Sequence, residues 1–417
     1  MQRKYIPHII DQHAEEAAFL WLLRNSAVSA PHYDLEALAD LDERVEAHLD
    51  GLRIAGDYGW EICKANLDFK ENGELFAATV LALESQSAEK LKTVYAVLAE
   101  NPELQSGFVS ALGWIEPKFL QGKVSGFLAS KEPFWRKIGI AACAVQRVDP
   151  KDYLKQGIKD EDADLCCQSL KTAGELGRTD LMGDMHKAMA SKNLDIKFWS
   201  AWAAVLCGDR QQALNTLLLI VKQGGADEYS NVSEAMELLF RIMALGESKD
   251  LLADLKEQSR LRHVIKAIGI RGEIDFIPWL IEQMDVPELS RVAGESFTTI
   301  TGKDLAYDDL DKDKPKGFES GPTENPEDDD VELDADEDLP WPNPEAIQLW
   351  WSTNKSNFTI GTRYLNGMPI SKETCQTVLK EGTQRQRKAA ALELALMDAN
   401  TVLFETSAMG KRQQNIL

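Results

Sequence analysis

The side chains with the most chemistry to offer are six histidines and the carboxylates around them. His8, Asp11, His13, Glu15 and Glu16, with His32 further on, make the richest run of metal-ligating residue types. His13 and Glu16 share one helical face, the arrangement two ligands of a zinc or iron site need. The competing reading is an exposed polar helix start with Asp11 near its positive end. Asp309, Asp311 and Asp313 match the first three oxygen positions of a calcium loop. Lys314 then stands where that loop needs glycine and Ser320 where it needs a bidentate glutamate, while Lys312, Lys314 and Lys316 oppose a cation. The cysteines, at 63, 143, 166, 167, 207 and 375, include no Cys-x-x-Cys pair and read as buried, reduced thiols. The chain contains no Gly-x-x-x-x-Gly-Lys-Ser/Thr cradle, no Gly-x-Gly-x-x-Gly after a strand and no Gly-x-Ser-x-Gly elbow. No catalytic residue, resident metal or cofactor is assigned on these grounds.

The positive signals are surfaces. Trp341, Trp350 and Trp351 lie close together beside an acidic run; tryptophan is enriched at binding hot spots, although a helical cap more often uses it as core. Trp199 and Trp202, in a helix of small residues, read as packing. Arg385, Arg387 and Lys388 fall on an exposed side if Leu392 and Leu396 face inward. There they would take an acidic segment of the same chain or of a partner, or form a plainly solvated face.

The elements that carry these residues read as helices. Ala235, Leu238, Ile242 and Leu245, and likewise Cys166, Leu170, Ala173 and Gly177, step by three and four. A phrase recurs in which an apolar helix ends at a glycine and an acidic residue stands near the next helix start: Gly113, Gly177, Gly208, Gly246 and Gly272. The stretch from Phe134 to Pro150 has the same helix and no glycine. A helix pair recurring every ~30 residues is the signature of an α-solenoid. The expected fold is therefore all-α, a HEAT-like solenoid with a small C-terminal capping module.

The charge divides the chain. Its 417 residues carry 68 acidic against 46 basic groups, a net of −22. That balance argues against a broad nucleic-acid surface and against an anionic membrane. The uncharged apolar stretches fall short of the ~20 residues of a membrane span. Eleven acidic residues and no basic one lie between Glu319 and Asp338, which predicts a solvated linker. The expected segments are an N-terminal helical region at 1–58, a repeat solenoid at 59–305, an acidic disordered linker at 306–340 and a capping module at 341–417. In the last, helices are expected near 371–380 and 383–399, with a short strand or extended loop at 358–364.

The repeat residues resemble HEAT repeats, particularly the short, Ala- and Gly-rich kind seen in bilin lyase-like proteins; the Val292–Leu305 stretch with its Ala293-Gly294-Glu295 phrase is one example. A closer resemblance rests on Leu41–Arg53, Ala306–Leu310, Gly361-Thr362-Arg363-Tyr364 and Gly382–Ala390. These look like segments of an uncharacterised family of bacterial HEAT-like proteins, commonly encoded near type VI secretion genes. The resemblance implies an accessory, adaptor or immunity-like role, a secretion component or effector as protein partner, and a bacterial cytoplasmic location. The expected function is a non-enzymatic binding scaffold with Trp341, Trp350, Trp351, Arg363, Arg385, Arg387 and Lys388 as candidate contact residues. The alternative is a solenoid enzyme acting on a protein or small molecule, with a metal at the N-terminal His/Glu cluster.

Overall fold

The computed structural model describes residues 6–224, 231–321 and 334–417. Among them the fold is all-α, with one short antiparallel hairpin of β1 (Tyr364–Leu365) and β2 (Met368–Pro369). Two compact units divide the chain: Met1–Ser29, Tyr33–Asp209 and Asp398–Leu417 form the first, and Ala30–His32 with Arg210–Met397 the second.

The first unit runs through α1 (Pro7–Ala27), α2 (Leu35–Ala55), α3 (Asp57–Asn66), α4 (Asn72–Ser85), α5 (Ala88–Glu100), α6 (Gln105–Trp114), α7 (Lys123–Leu128) and α8 (Pro133–Val145). It continues through α9 (Asp152–Ile158), α10 (Ala163–Glu175), α11 (Met182–Ala188) and α12 (Leu194–Leu206). Here α1, α4, α6, α8, α10 and α12 follow one another as packed neighbours. The intervening helices form a second layer, α5 on α4, α7 on α8, α9 on α8 and α10, and α11 on α12. Two layers of successive helices are the arrangement of an α-solenoid.

The second unit holds α13 (Gln212–Gln223), α14 (Val232–Ile242), α15 (Leu245–Glu257), α16 (Leu261–Arg271), α17 (Ile277–Gln283), α18 (Pro287–Thr301), α19 (Pro344–Asn354), α20 (Lys372–Glu381) and α21 (Gln384–Met397). In it α14, α16 and α18 stack in turn, with α13 on α14, α15 on α16 and α17 on α18. The remaining helix, α22 (Gly410–Gln414), belongs to the first unit and packs on α2.

Local chemistry explains where the helices begin and end. The side chains of Asp34, Ser87, Asp162, Asn193, Asn343 and Ser371 accept hydrogen bonds from the first-turn amides of α2, α5, α10, α12, α19 and α20. Proline opens α8, α18 and α19, where its missing N–H costs nothing. Three inner helices end alike. Val148 donates to Cys143, Arg178 to Ala173 and Asp209 to Ala204, while Arg147, Gly177 and Gly208 sit at φ +52, +61 and +101. This six-to-one closure needs a left-handed residue just past the helix. The helix without a glycine thus uses Arg147 in that position. Gly272 also ends its helix as expected, at φ +77, whereas Gly113 and Gly246 lie inside α6 and α15.

The first unit's core joins the layers through aromatic contacts. Trp21 stacks on Phe76 at 5.6 Å, and Phe127 stacks on Trp135 at 5.4 Å with Tyr95 edge-on to both. Trp21 and Phe76 are fully buried, and burying such a ring contributes roughly 1.5–3 kcal/mol. At the α10–α12 seam a Cβ on Gly174 would stand 2.8 Å from the Cα of Ala203, so glycine sets that close approach.

The segment expected as one capping module, 341–417, divides. Residues 341–397 belong to the second unit and 398–417 to the first. Its expected helices form as α20 and α21. Within the first unit the last twenty residues pack through α22 and Met409 and also hydrogen-bond to earlier segments: Leu403 donates to the Glu175 carbonyl, Gly410 to the Asp42 carboxylate, and Arg147 to the Leu403 carbonyl.

Candidate interaction surfaces

The seven candidate contact residues divide by burial. Trp341 and Trp351 are buried. Trp341 lies edge-on to Phe318 at 4.9 Å, under the Arg291 guanidinium at 4.5 Å, and Trp351 leans on Phe358 at 5.5 Å. Trp350 is half-buried, edge-on to Phe297 at 5.6 Å. The tryptophans serve the core more than the surface.

Arg363 acts inside the fold. Its guanidinium donates to the carbonyls of Arg271 (2.8 Å), Arg241 (2.9 Å) and Ile270 (3.4 Å), the exposed ends of α14 and α16. It also pairs with Glu393 of α21 at 2.5 Å, which faces Arg241 as well. The buried Arg271 does the same work at the end of α14: it donates to the Met243 carbonyl at 2.6 Å and pairs with Glu273. Helix C-terminal carbonyls lack intrahelical donors, and these two arginines supply them.

Arg387, expected on the exposed side of α21, is fully buried. It donates to the Leu379 carbonyl at 2.7 Å and to the Gln384 side chain, closing α20 against α21. The inward face of α21 is set by Ala391, Leu392 and Ala395, with Arg387 aligned one turn before Ala391. Periodicity read from the apolar residues alone put the arginine outside, because a side chain this long is buried only when carbonyls meet it. Lys388 is exposed as expected, and Arg385 is half-buried and pairs with Glu295 at 2.6 Å.

The acidic run meets arginines elsewhere in the second unit. Asp336 pairs with Arg262 of α16 and Asp334 with Arg291 of α18, each at 2.5 Å. Burial opposes the charge on Asp334, but the Asp336 amide and then Arg291 hold its pKa below the usual carboxylate value. Residues 322–333, the middle of the predicted linker, lie outside the described residues.

In the first unit an open groove of about 430 Å³ crosses α6, α8, α10 and α12. Ser106, Lys137, Gln168 and Trp199, 31 residues apart in turn, project into it from successive helices. Lys171 lies over the Trp199 ring at 5.2 Å, and Lys137 reaches Asp164 at 3.1 Å. Trp202 packs as expected, while Trp199 is half-buried at this surface. This constant interval contrasts with the uneven spacing of the glycine marks.

Compared with protein-family models, curated proteins and solved structures, the chain matches none.

The histidine cluster does not assemble as spaced in sequence. His13 faces His48 of α2, their Nδ1 atoms 3.2 Å apart and their rings edge-on. Desolvation first, then the charge of His13, lowers the His48 pKa, with Glu16 opposing. His32 stands 3.8 Å from Asp338. Among the described residues no group of three or more His, Cys, Asp or Glu is placed to hold a metal ion. All six cysteines are free thiols. Burial pushes Cys143 and Cys166 up to about 11 and Cys63, Cys167, Cys207 and Cys375 up to about 12, so at neutral pH they are protonated and poor nucleophiles. No helix among the described residues is long and apolar enough to cross a membrane.

Proposed function

We propose that this protein is a non-enzymatic, HEAT-like scaffold of the bacterial cytoplasm that grips a partner protein. The observation that carries the reading is the groove across α6, α8, α10 and α12, where each of four successive helices contributes a side chain at a constant interval. Stacked helices hold such a surface rigid, so a bound segment meets preorganised contacts and little ordering entropy is lost on the scaffold's side. The lining mixes a tryptophan, two lysines, glutamines and apolar stems, which suits an extended polypeptide making both backbone and side-chain contacts. By resemblance of its sequence segments to the type VI-linked family, the partner is a secretion component or effector.

The test is capture from native cells with the wild-type chain and with the double variant Gln168→Glu/Lys171→Glu. Both residues line the groove without filling the core. Wild type should retain a secretion component or effector, and the variant should retain about tenfold less of it, the loss typical of removing a hot-spot contact. Equal capture by both chains, with unchanged circular dichroism, would remove the groove from the proposal. Absence of any secretion protein from the wild-type capture would remove the partner class.

A further inference from the structure

The outer helix layer of the first unit carries a groove of a different kind. There α9 and α11 pack directly on one another, whereas α5 and α7 meet through side chains, Tyr95 lying edge-on to Phe127 at 5.4 Å. Between α5 and α7 runs an open groove of about 670 Å³. Small residues make much of its lining: Ala88 and Ala96 on α5, Gly126 on α7 and Gly122 at the N-cap of α7. A Cβ on Gly122 or Gly126 would meet nothing within 4 Å, so the space over α7 is free. The aromatic part of the lining is fixed, because Phe127 stacks on Trp135 and Tyr95 is edge-on to Phe108 and Trp135 as well.

The polar groups of the lining are few, and its charges are of one sign. Lys92 of α5 and Lys123 of α7 are the charged residues, and no carboxylate lines the groove among the described residues. Lys123 donates to the neutral Gln86 side chain at 2.6 Å, and Lys92, exposed, makes no ion pair among the described residues. In a chain of net −22, two lysines bordering an apolar surface with no acid between them favour an acidic ligand. The Tyr95 hydroxyl makes no hydrogen bond among the described residues and keeps contact with solvent. Burial pushes its pKa up to about 12, so at neutral pH it remains a donor.

The lining also selects the backbone form of the ligand. An extended peptide would bury its amides and carbonyls against alanine, glycine, leucine and aromatic groups that cannot pair them. A helix satisfies its own backbone, and the small residues let its axis approach to the ~8–10 Å of ordinary helix packing. Leu91, Tyr95 and Phe127 then receive an apolar stripe. We propose that the α5–α7 groove binds an amphipathic helix of a partner protein, its apolar stripe laid between the two helices and its flanking carboxylates paired with Lys92 and Lys123. The site is separate from the groove across α6, α8, α10 and α12, whose glutamines suit an extended chain, and either can fail alone.

The experiment measures anisotropy of a fluorescein-labelled helical peptide of about 18 residues, long enough to hold its helix, with the full chain. Leucines form its apolar stripe and glutamates border it; a second peptide has lysine for each glutamate. Wild type should bind the glutamate peptide about tenfold more tightly than the lysine peptide, with the preference shrinking as salt rises. Lys92→Glu/Lys123→Glu should reverse the preference. Gly126→Leu places a side chain in the free space and should weaken binding of the glutamate peptide about tenfold. Its melting midpoint should hold or rise, since leucine is the better helix former. Should Gly126→Leu lower the midpoint, the charge-reversal variant, changed at the groove's rim, decides. The proposal is overturned if neither peptide binds, if the two bind equally, or if folded Gly126→Leu binds as wild type does. Displacement by oleate at lower concentration than by unlabelled peptide would overturn it in favour of a lipid carboxylate. Dimerisation of wild type that Gly126→Leu abolishes, read by sedimentation, would overturn it in favour of a second copy of this chain.

Discussion

Arginine is the residue that most changes meaning between sequence and structure. As a type it suggests an exposed contact, yet Arg363, Arg271 and Arg387 each spend their donors on helix-end carbonyls inside the fold. Lys388, beside Arg387 in sequence, points to solvent. The pair makes a direct comparison. Arg387→Ala should lower unfolding free energy by about 2–4 kcal/mol, since it leaves the Leu379 carbonyl unsatisfied and opens a void between α20 and α21. Lys388→Ala should stay within about 0.5 kcal/mol of wild type. Urea denaturation of the two variants decides it, and similar small losses would mean that Arg387 is not holding the α20–α21 pair. The tryptophans were more legible than the arginines: large rings in an amphipathic helical module bury for their area alone. An arginine buries only where acceptors converge, and the acceptors for Arg363 come from residues near 241 and 271.

At the scale of elements, the recurring glycines were read for one reason and serve two. Gly177, Gly208 and Gly272 do take the left-handed position after a helix. They are also where a later segment of the same unit comes close: a Cβ on Gly177 would stand 3.0 Å from the Thr401 carbonyl, one on Gly208 3.0 Å from Ala399, and one on Gly272 against the Tyr364 carbonyl. The first role follows from local sequence and the second does not. Gly177→Ala is therefore expected to cost more than the about 1–2 kcal/mol of a left-handed alanine, because the Asn400–Thr401 backbone must also move. Gly246→Ala, in open space on the first turn of α15, should be neutral or stabilise by up to about 1 kcal/mol. Thermal melts of the two variants would show it. A Gly177→Ala loss no larger than the backbone cost would mean that the Thr401 contact yields freely.

For the whole molecule, the charge arithmetic marked an acidic stretch correctly but not its attachments. Its described end is tied to Arg262 and Arg291. The chain's last residues, expected to stay with the capping helices, return to the first unit instead. They satisfy Arg24, Asp42, Arg147 and Glu175, groups that are buried or nearly so. Ending the chain after Met397 should leave those groups with fewer partners. Amide exchange at 143–148 and 173–178, where α8 and α10 close, should then speed up by about tenfold or more, the equivalent of losing ~1.4 kcal/mol of local protection. Unchanged exchange at both helix ends would show that the tail only rests on the unit.

What the sequence determined by itself was the all-α fold class. Helical periodicity, N-caps and glycine stops act over a few residues, so they can be read without knowing any partner in space. It also identified the surface chemistry by type, tryptophan, arginine and clustered carboxylate. Only the tertiary structure decided which of these face water. Trp341 and Arg387 are enclosed, Trp199 and Arg262 are reachable, and Asp336 is held by an arginine 74 residues away. Those outcomes depend on which carbonyls and carboxylates converge from distant segments, and no local pattern in the chain encodes that convergence.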